Sequence, residues 1–193
     1  MGRLFEEAEE TVRLYGTRDP YELLDAIGAV TKFSRKYRKN GLKGFAMILF
    51  GVSYAVVNAK LDDTMQRIVA GHEAAHLILH RSELESLQAA GLIDYDMFSG
   101  SESDKSRGAV SSFGMISLQN SRIEREANEF LADFLVSDSS VKEALSDEYA
   151  DFFTVSSELA MPYQLFAYKL HSMEARGYKL RSPIGLDSKF LAD

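Results

Sequence analysis

The amino-acid sequence predicts an α+β fold, and the order of its residue patterns carries that prediction. Helical periodicity comes first, at residues 3–16 and 20–28. Two short apolar runs rich in β-branched and aromatic residues follow at 45–58, and helical periodicity returns from residue 63. Runs of helix, then strand, then helix are typical of α+β proteins. The chain has 193 residues, 46% of them hydrophobic, which is enough for one domain with a sizeable core.

The first half of the chain is predicted to hold two helices and a strand hairpin. Apolar residues spaced three and four apart predict the first helix, and a proline in its first turn and a glycine at its end delimit the second. The segment 32–41 alternates basic with other residues and ends in an Asn-Gly turn, which is typical of a strand with one solvated face. The runs 45–50 and 52–58 flank Gly51 and predict a hairpin.

The second half is predicted to be mostly helical. An acidic N-cap begins a long helix that runs from residue 63 through His80, and a short helix follows at 83–90. Residues 99–121 hold eight serines and three glycines without a clean period, so they predict a long loop. One apolar stripe predicts a strong helix at 121–136, and two or three short helices follow between 141 and 180.

The composition excludes several classes of site and partner. The chain has no cysteine, which rules out a disulfide scaffold, a thiol nucleophile and any thiolate metal site. A metal site must therefore draw on aspartate, glutamate and the four histidines. The net charge of −7 argues against general binding of polyanions. The longest apolar run has six residues, whereas a membrane-spanning helix needs roughly 20. The acidic N-terminal segment does not resemble a signal peptide. We therefore expect a soluble cytoplasmic protein.

The sharpest motif is His72-Glu73-Ala74-Ala75-His76 within the long predicted helix. Two histidines four residues apart project from the same face of a helix, where they can bind adjacent corners of a tetrahedral zinc ion. Glu73 lies about 100° round the helix, near the open position, where it can accept a proton from a metal-bound water. Apolar residues surround the motif, and polar side chains are costly to bury there unless they are paired or ligated. We therefore interpret the motif as a metal site with Glu73 as the general base.

His80 continues the four-residue spacing of the histidines, but it does not suit the same ion. Its Cα would lie about 12 Å along the helix axis from that of His72, beyond the reach of one metal. No glycine ends the helix before His80, as the third histidine of a metzincin would require. We expect His80 to lie at the C-terminal end of the helix, where the helix dipole favours it.

The third ligand is then expected to be a carboxylate from the 121–136 helix. That helix offers four acids: Glu124, Glu126, Glu129 and Asp133. With steps of about 100° per residue, Glu124 lies nearest the buried edge of the apolar stripe and is the predicted ligand. Glu126 lies farther round and stays the alternative. Asn128, one turn after Glu124, is placed to form a hydrogen bond in the second shell of the metal.

These residues resemble the ImmA/IrrE family of bacterial metallo-endopeptidases. The similarity lies in HEAAHLILH and, further along the chain, EREANEFLADFLV, with the upstream GLKGF strand in the family's usual order. It covers about residues 18–136. The resemblance implies a zinc ion held by His72, His76 and Glu124, with Glu73 as general base. Ala75 stands where the family has glycine, and Val136-Ser137 where Met-Pro is usual.

The resemblance also implies a zincin-like arrangement, in which a small antiparallel sheet packs on the active-site HExxH helix. We expect residues 1–136 to form this metallopeptidase core and residues 137–193 to form a C-terminal helical extension packed on it. Members of the family are typically encoded by mobile elements or stress loci of bacteria or phages. They inactivate a helix-turn-helix transcriptional repressor by cleaving it.

The predicted function is therefore zinc-dependent cleavage of such a repressor. The alternative is a zinc-stabilised regulatory protein that binds a transcription factor without proteolysis, since a metal site serves either role. We do not expect direct binding of nucleic acid. The basic segment near residues 32–43 is more typical of a solvated strand, and the helical segment around residues 156–178 lacks a basic recognition face.

Overall fold

The computed structural model of the chain describes residues 2–38, 41–89 and 121–191, and it confirms the α+β class. The described elements follow in chain order: α1 (Arg3–Tyr15), α2 (Pro20–Ala26), β1 (Val30–Ser34), β2 (Gly44–Leu49), β3 (Val52–Asn58), α3 (Asp63–Leu79), α4 (Arg81–Ala89), α5 (Ser121–Leu135), α6 (Asp138–Ala144), α7 (Phe152–Glu158) and α8 (Tyr163–Ala175). Nearly all of the predicted 99–121 loop lies outside the described residues. The division of the chain at residue 136 stays a prediction.

The sheet is mixed, which corrects the prediction of a wholly antiparallel sheet. Its strand order is β1-β3-β2. The hairpin of β2 and β3 is antiparallel, as expected, but β1 runs parallel to β3 on the other side. The reason is that the chain crosses from one edge of the sheet to the other between β1 and β2, so that the hairpin returns with β3 in the middle. The first strand also ends at Ser34, and most of the basic segment lies after it.

The turn of the hairpin explains why its register is well defined. Phe50 and Gly51 both have a positive φ, of 50° and 78°. Two central residues with positive φ are the mark of a type I′ turn, whose twist matches that of the strands it joins. Ala46 is consequently paired with Ala55 in the middle of the ladder.

Both faces of the hairpin are covered. Alternate residues of β2 and β3 face the main core: Ala46, Ile48, Ala55 and Val57. The residues between them form a second, smaller apolar cluster built on Phe45, Met47 and Val56. Because side chains alternate across a strand, a hairpin that is buried on both faces reads as a continuous apolar run. This is the pattern that predicted it.

The helix α3 lies at the centre of the described fold. The carboxylate of Asp62 accepts a hydrogen bond from the Met65 amide at 2.8 Å and so begins the helix. One side of α3 packs on β2 and β3, and its other sides pack on α2 and α5. Its residues from 68 to 77 are all buried. The described helices include none that is long and apolar enough to cross a membrane.

The helix α5 connects α3 to the rest of the helical layer. It packs against α1, α3 and α8, and its apolar stripe is buried from Ala127 to Leu135. Beyond it come α6, begun by Ser137, and α7, begun by Asp151, each through a side chain that accepts a backbone hydrogen bond. The α8 helix is buried from Leu165 to Leu170, so the C-terminal helices share one core with α3 and α5.

Candidate metal centre

The middle of α3 presents two histidines to the same point. His72 and His76 are one helical turn apart, and their rings meet edge to face with centroids 4.6 Å apart. Their Nε2 atoms are separated by 3.0 Å, and both side chains are buried. Two facing nitrogens at this distance need a proton or a cation between them, because two lone pairs would repel each other.

Glu124 reaches this point from the first turn of α5. Its Oε2 lies 3.1 Å from His72 Nε2, and its Oε1 lies 3.5 Å from His76 Nε2. Burial by itself raises the pKa of Glu124, but the hydrogen bonds and positive charge of the two histidines outweigh it and hold the pKa well below its usual range. The carboxylate is therefore charged and directed at the histidine nitrogens.

Glu126, the alternative third ligand, lies elsewhere. Its Oε2 is 3.9 Å from His80 Nε2, and its Oε1 is 3.7 Å from Arg122 Nε and 3.8 Å from Arg3 Nη2. It belongs to a loose group of charges at the edge of α5. Among the described residues, the structure brings Glu124 and not Glu126 to the two histidines.

The three side chains fit a small metal ion. One nitrogen from each histidine and one oxygen from Glu124 all lie within 4.8 Å of one another in a buried place. A tetrahedral zinc ion with bonds of about 2.0 Å separates its ligand atoms by about 3.3 Å. The three measured separations, 3.0, 3.1 and 3.5 Å, bracket that value. Two imidazoles and a carboxylate are also a common donor set of catalytic zinc sites.

Glu73 lies beside this group and faces the sheet. A Cβ added to Gly44 would come within 3.0 Å of Glu73 Oε1, so the carboxylate lies against the first residue of β2. Burial raises the pKa of Glu73 to about 8, although the nearby His76 and a hydrogen bond from the Ala46 backbone act in the opposite direction. A carboxyl group with a pKa near neutrality can both accept and donate a proton.

Comparison with known proteins agrees with this geometry. The family model described as IrrE N-terminal-like domain (Peptidase_M78) matches residues 55–175, well over half of the chain. The chain belongs to the ImmA/IrrE family of peptidases. The match contains both the helix with the two histidines and the helix with Glu124. No curated protein and no solved structure gives a significant match.

In this member of the ImmA/IrrE family, Asn128 lies one turn beyond Glu124 and is fully buried. Its Nδ2 donates to the backbone oxygen of Ser188 at 3.1 Å. The hydrogen bond that the structure gives it therefore joins α5 to the C-terminal segment and not to a metal ligand. Its second-shell role stays a prediction.

His80 is the C-terminal cap of α3, as expected, and it stands outside the metal-binding group. Its ring centroid lies 5.5 Å from that of His76, and its side chain is buried. Burial and the neighbouring His76 lower the pKa of His80. A lower pKa favours the neutral ring, which carries no charge for the helix dipole to stabilise. Burial therefore affects the protonation of His80 more than the helix dipole does.

Two further residues at the site, Gly44 and Gly71, were not predicted, because they have no side chain that could act as a functional group. Gly44 lies against Glu73, and Gly71 directly precedes His72. The signal in the sequence was Gly71 itself, because glycine in a helix interior costs about 0.5–1 kcal/mol relative to alanine. A glycine at such a position therefore indicates a close approach by another element, and Leu131 and Pro20 are the neighbours that the structure shows.

Proposed function

We propose that this chain is a zinc-dependent endopeptidase. The observation that carries the proposal is that His72 Nε2, His76 Nε2 and a Glu124 oxygen converge in a buried place. The Glu73 carboxyl lies beside them, on the helix that carries the two histidines. A structural metal site needs only the ligands. The additional buried acid, with its pKa raised to about 8, has no ion pair among the described residues and suits a group that transfers protons.

The residues divide the chemistry between them. His72, His76 and Glu124 would hold the ion. In catalytic sites with three protein ligands, zinc keeps one position open, lowers the pKa of water bound there and polarises a substrate carbonyl. Glu73 would take a proton from a water molecule as the water oxygen bonds to the carbonyl carbon of the peptide, and it would return that proton to the amine nitrogen as the peptide C–N bond breaks. Asn128 would support the ligand helix from its buried position.

Zinc is the ion that this donor set favours. The site offers imidazole and carboxylate ligands without thiolate, at tetrahedral spacing and in a buried position. This combination matches the zinc site of peptidases that carry an HExxH helix. Magnesium and calcium prefer six or more oxygen ligands, which the three described side chains do not supply. The family match supports the peptidase class of the reaction.

The proposed substrate is a helix-turn-helix transcriptional repressor of a mobile element or stress locus, in the cytoplasm of a bacterium or in a phage-infected cell. What supports this choice is the sequence similarity to the ImmA/IrrE family. A basic repressor would also be attracted to a chain whose net charge is −7.

The test is incubation of the zinc-loaded chain with the repressor encoded beside its gene, followed by mass spectrometry. Discrete fragments that a zinc chelator abolishes would support the proposal. A stable complex without fragments would overturn it in favour of a regulatory protein that binds a transcription factor without cutting it. Metal analysis of the same preparation identifies the ion.

A further inference from the structure

Gly44 allows β2 to approach α3 more closely than any larger residue would. A Cβ at this position would lie 2.4 Å from Val69 Cγ1, 2.8 Å from the Val56 backbone oxygen and 3.0 Å from Glu73 Oε1. All three are shorter than ordinary van der Waals contact, and the oxygen of Val56 belongs to the central strand and cannot move freely. Gly44 is not among the glycines with a positive φ, so the requirement is space and not backbone conformation.

Gly71 has the same role on the other side of α3. Its Cβ would lie 2.5 Å from Leu131 Cδ1 and 3.1 Å from Pro20 Cγ. It too lacks a positive φ. Alanine would favour the helix more than glycine does, so the glycine is explained by the approach of α5 and α2.

We propose that Gly44 and Gly71 are positioning residues that separately set the two close approaches on which the site depends. Gly44 sets the distance between β2 and the general base, and Gly71 sets the distance between α5 and the two histidines. The inference rests on the proposed function, since it takes Glu73 as the base and Glu124 as the third ligand.

The connection from Gly71 to Glu124 runs along α5. Leu131 lies seven residues after Glu124, which is two helical turns on the same face. Leu131 is fully buried, so its side chain has no free space to turn into and the added methyl group displaces the helix that carries it. Because a helix moves as a rigid element over two turns, this displacement also withdraws Glu124. Because Glu124 Oε2 is 3.1 Å from His72 Nε2, a shift of about 1 Å would exceed the tolerance of a zinc site, whose bond lengths vary by about 0.2 Å.

The connection from Gly44 to Glu73 is direct. An added methyl group meets two side chains, Val69 and the Glu73 carboxyl, and one fixed backbone oxygen, that of Val56. The valine is branched at Cβ and stiff, whereas the carboxyl lies at the end of a longer and more flexible side chain. The carboxyl is the part that yields. Gly44 therefore acts on the base and leaves the ligands in place.

The first experiment measures the zinc dissociation constant of the full chain by competition with a chromophoric chelator. We expect Gly71→Ala to weaken zinc binding by about 10–100-fold, the range typical of a lost supporting contact. The double variant with Leu131→Ala removes the atom that the new methyl group meets, so it should recover most of that loss. Leu131→Ala alone is the control, since its cavity lowers stability without adding an obstacle. Gly44→Ala should bind zinc as the wild type does.

The second experiment observes Glu73 itself. In chain labelled with ¹³C at the glutamate carboxyl groups, the Glu73 resonance is the one that Glu73→Gln removes. We expect Gly44→Ala to shift the Glu73 resonance. The double variant Gly44→Ala with Val69→Ala removes the contact with valine but not the contact with Glu73, so it should fold more readily than Gly44→Ala alone and still show the shift. Gly51→Ala, in the turn that follows β2, is the control for the same chemical change at a glycine of the hairpin. Its positive φ of 78° makes that substitution strained, but nothing lies within 4 Å of the new Cβ.

The outcomes separate this inference from the proposed function. A wild-type chain that bound no zinc would refute the metal centre, and the inference with it. Zinc binding by the wild type together with unchanged affinity in Gly71→Ala would refute only the role of Gly71. A Glu73 resonance that stayed in place in Gly44→Ala, or that moved equally in Gly51→Ala, would refute the role of Gly44. Loss of affinity in Leu131→Ala as large as in Gly71→Ala would show general loosening and count against the inference.

Discussion

Lys169 of α8 donates a hydrogen bond from Nζ to the carboxylate of Asp133 in α5 at 2.8 Å, and neither side chain is more than 1% exposed. The same Nζ donates to Asp138 at 2.8 Å, and Ser172 donates to the other oxygen of Asp133 at 2.6 Å. A buried charge is tolerable only when it is paired and hydrogen-bonded in this way. The pair therefore fixes α8 against the helix that carries the third metal ligand.

Lys169→Met should destabilise the protein by about 3–5 kcal/mol, because it leaves the buried carboxylate of Asp133 without its main partner. The double variant with Asp133→Leu should be less unstable than the single one, since no uncompensated charge remains. Arg81→Ala breaks a pair with Glu85 of similar length, 2.9 Å, but with both side chains about half exposed, and should cost less than about 1 kcal/mol. Urea unfolding of the metal-free proteins measures the free energy of unfolding of all three variants. An equal loss of stability in Lys169→Met and Arg81→Ala would contradict this account.

Asp138 should make the stability of the protein depend on pH. Burial alone would raise the pKa of Asp138, but the hydrogen bond and charge of Lys169, together with the charge of Arg176, hold it below the ordinary value of 3.8. A carboxyl group with a lower pKa in the folded state stabilises that state above its unfolded pKa, and the effect is lost as the pH falls through the folded value. Asp138→Asn should therefore be less stable than the wild type at pH 7, with the difference shrinking below about pH 4. Unfolding free energies measured across this range test the sign, and a difference that grew on acidification would be inconsistent with it.

The helices and the hairpin could be predicted because local chemistry determines them. The long helix was predicted to start at residue 63 from its acidic cap, and α3 begins at Asp63 with Asp62 as that cap. The strong helix at 121–136 corresponds to α5, which ends one residue earlier. Capping and periodicity act within a few residues, so the sequence displays them directly.

Pairings between distant parts of the chain could not be predicted in the same way. The parallel neighbour of β3 is β1, and nothing in the strand's own residues specifies its partner. Lys169 occurs in an apolar segment, but its partner Asp133 is 36 residues away and looked like one of four acids on the ligand helix. For the metal site the sequence was more informative, because helical spacing alone orients His72 and His76. Gly71 is unusual in a helix interior, but the sequence does not show which groups approach it, and Gly44 carries no such signal, so both close approaches needed the structure.

The roles of the two neighbouring acids on α5 lead to a matched pair of variants. Glu124→Gln removes the charge next to the two histidines and should weaken zinc binding by more than about 100-fold, beyond the cost typical of an outer-shell partner. Glu126→Gln makes the same chemical change two residues further along the same helix. Because Glu126 lies by His80 and two arginines, its replacement should leave zinc affinity unchanged. Chelator competition measures both, and a loss in Glu126→Gln without one in Glu124→Gln would transfer the ligand role to Glu126.

Glu73→Gln should separate metal binding from catalysis. The amide has the size of the carboxyl group but does not accept a proton, so we expect the variant to retain zinc and to cleave the substrate about 10²–10⁴-fold more slowly. The substitution also removes an ionisable group from a buried place, where its charged form is costly. The metal-free variant should therefore melt at a temperature equal to or above that of the wild type, as expected for a residue that serves the reaction at the expense of stability. Metal analysis, cleavage rate and thermal melting are measured on one preparation. Full activity would remove Glu73 from the mechanism, and a lower melting temperature would show that its carboxylate supports the fold instead.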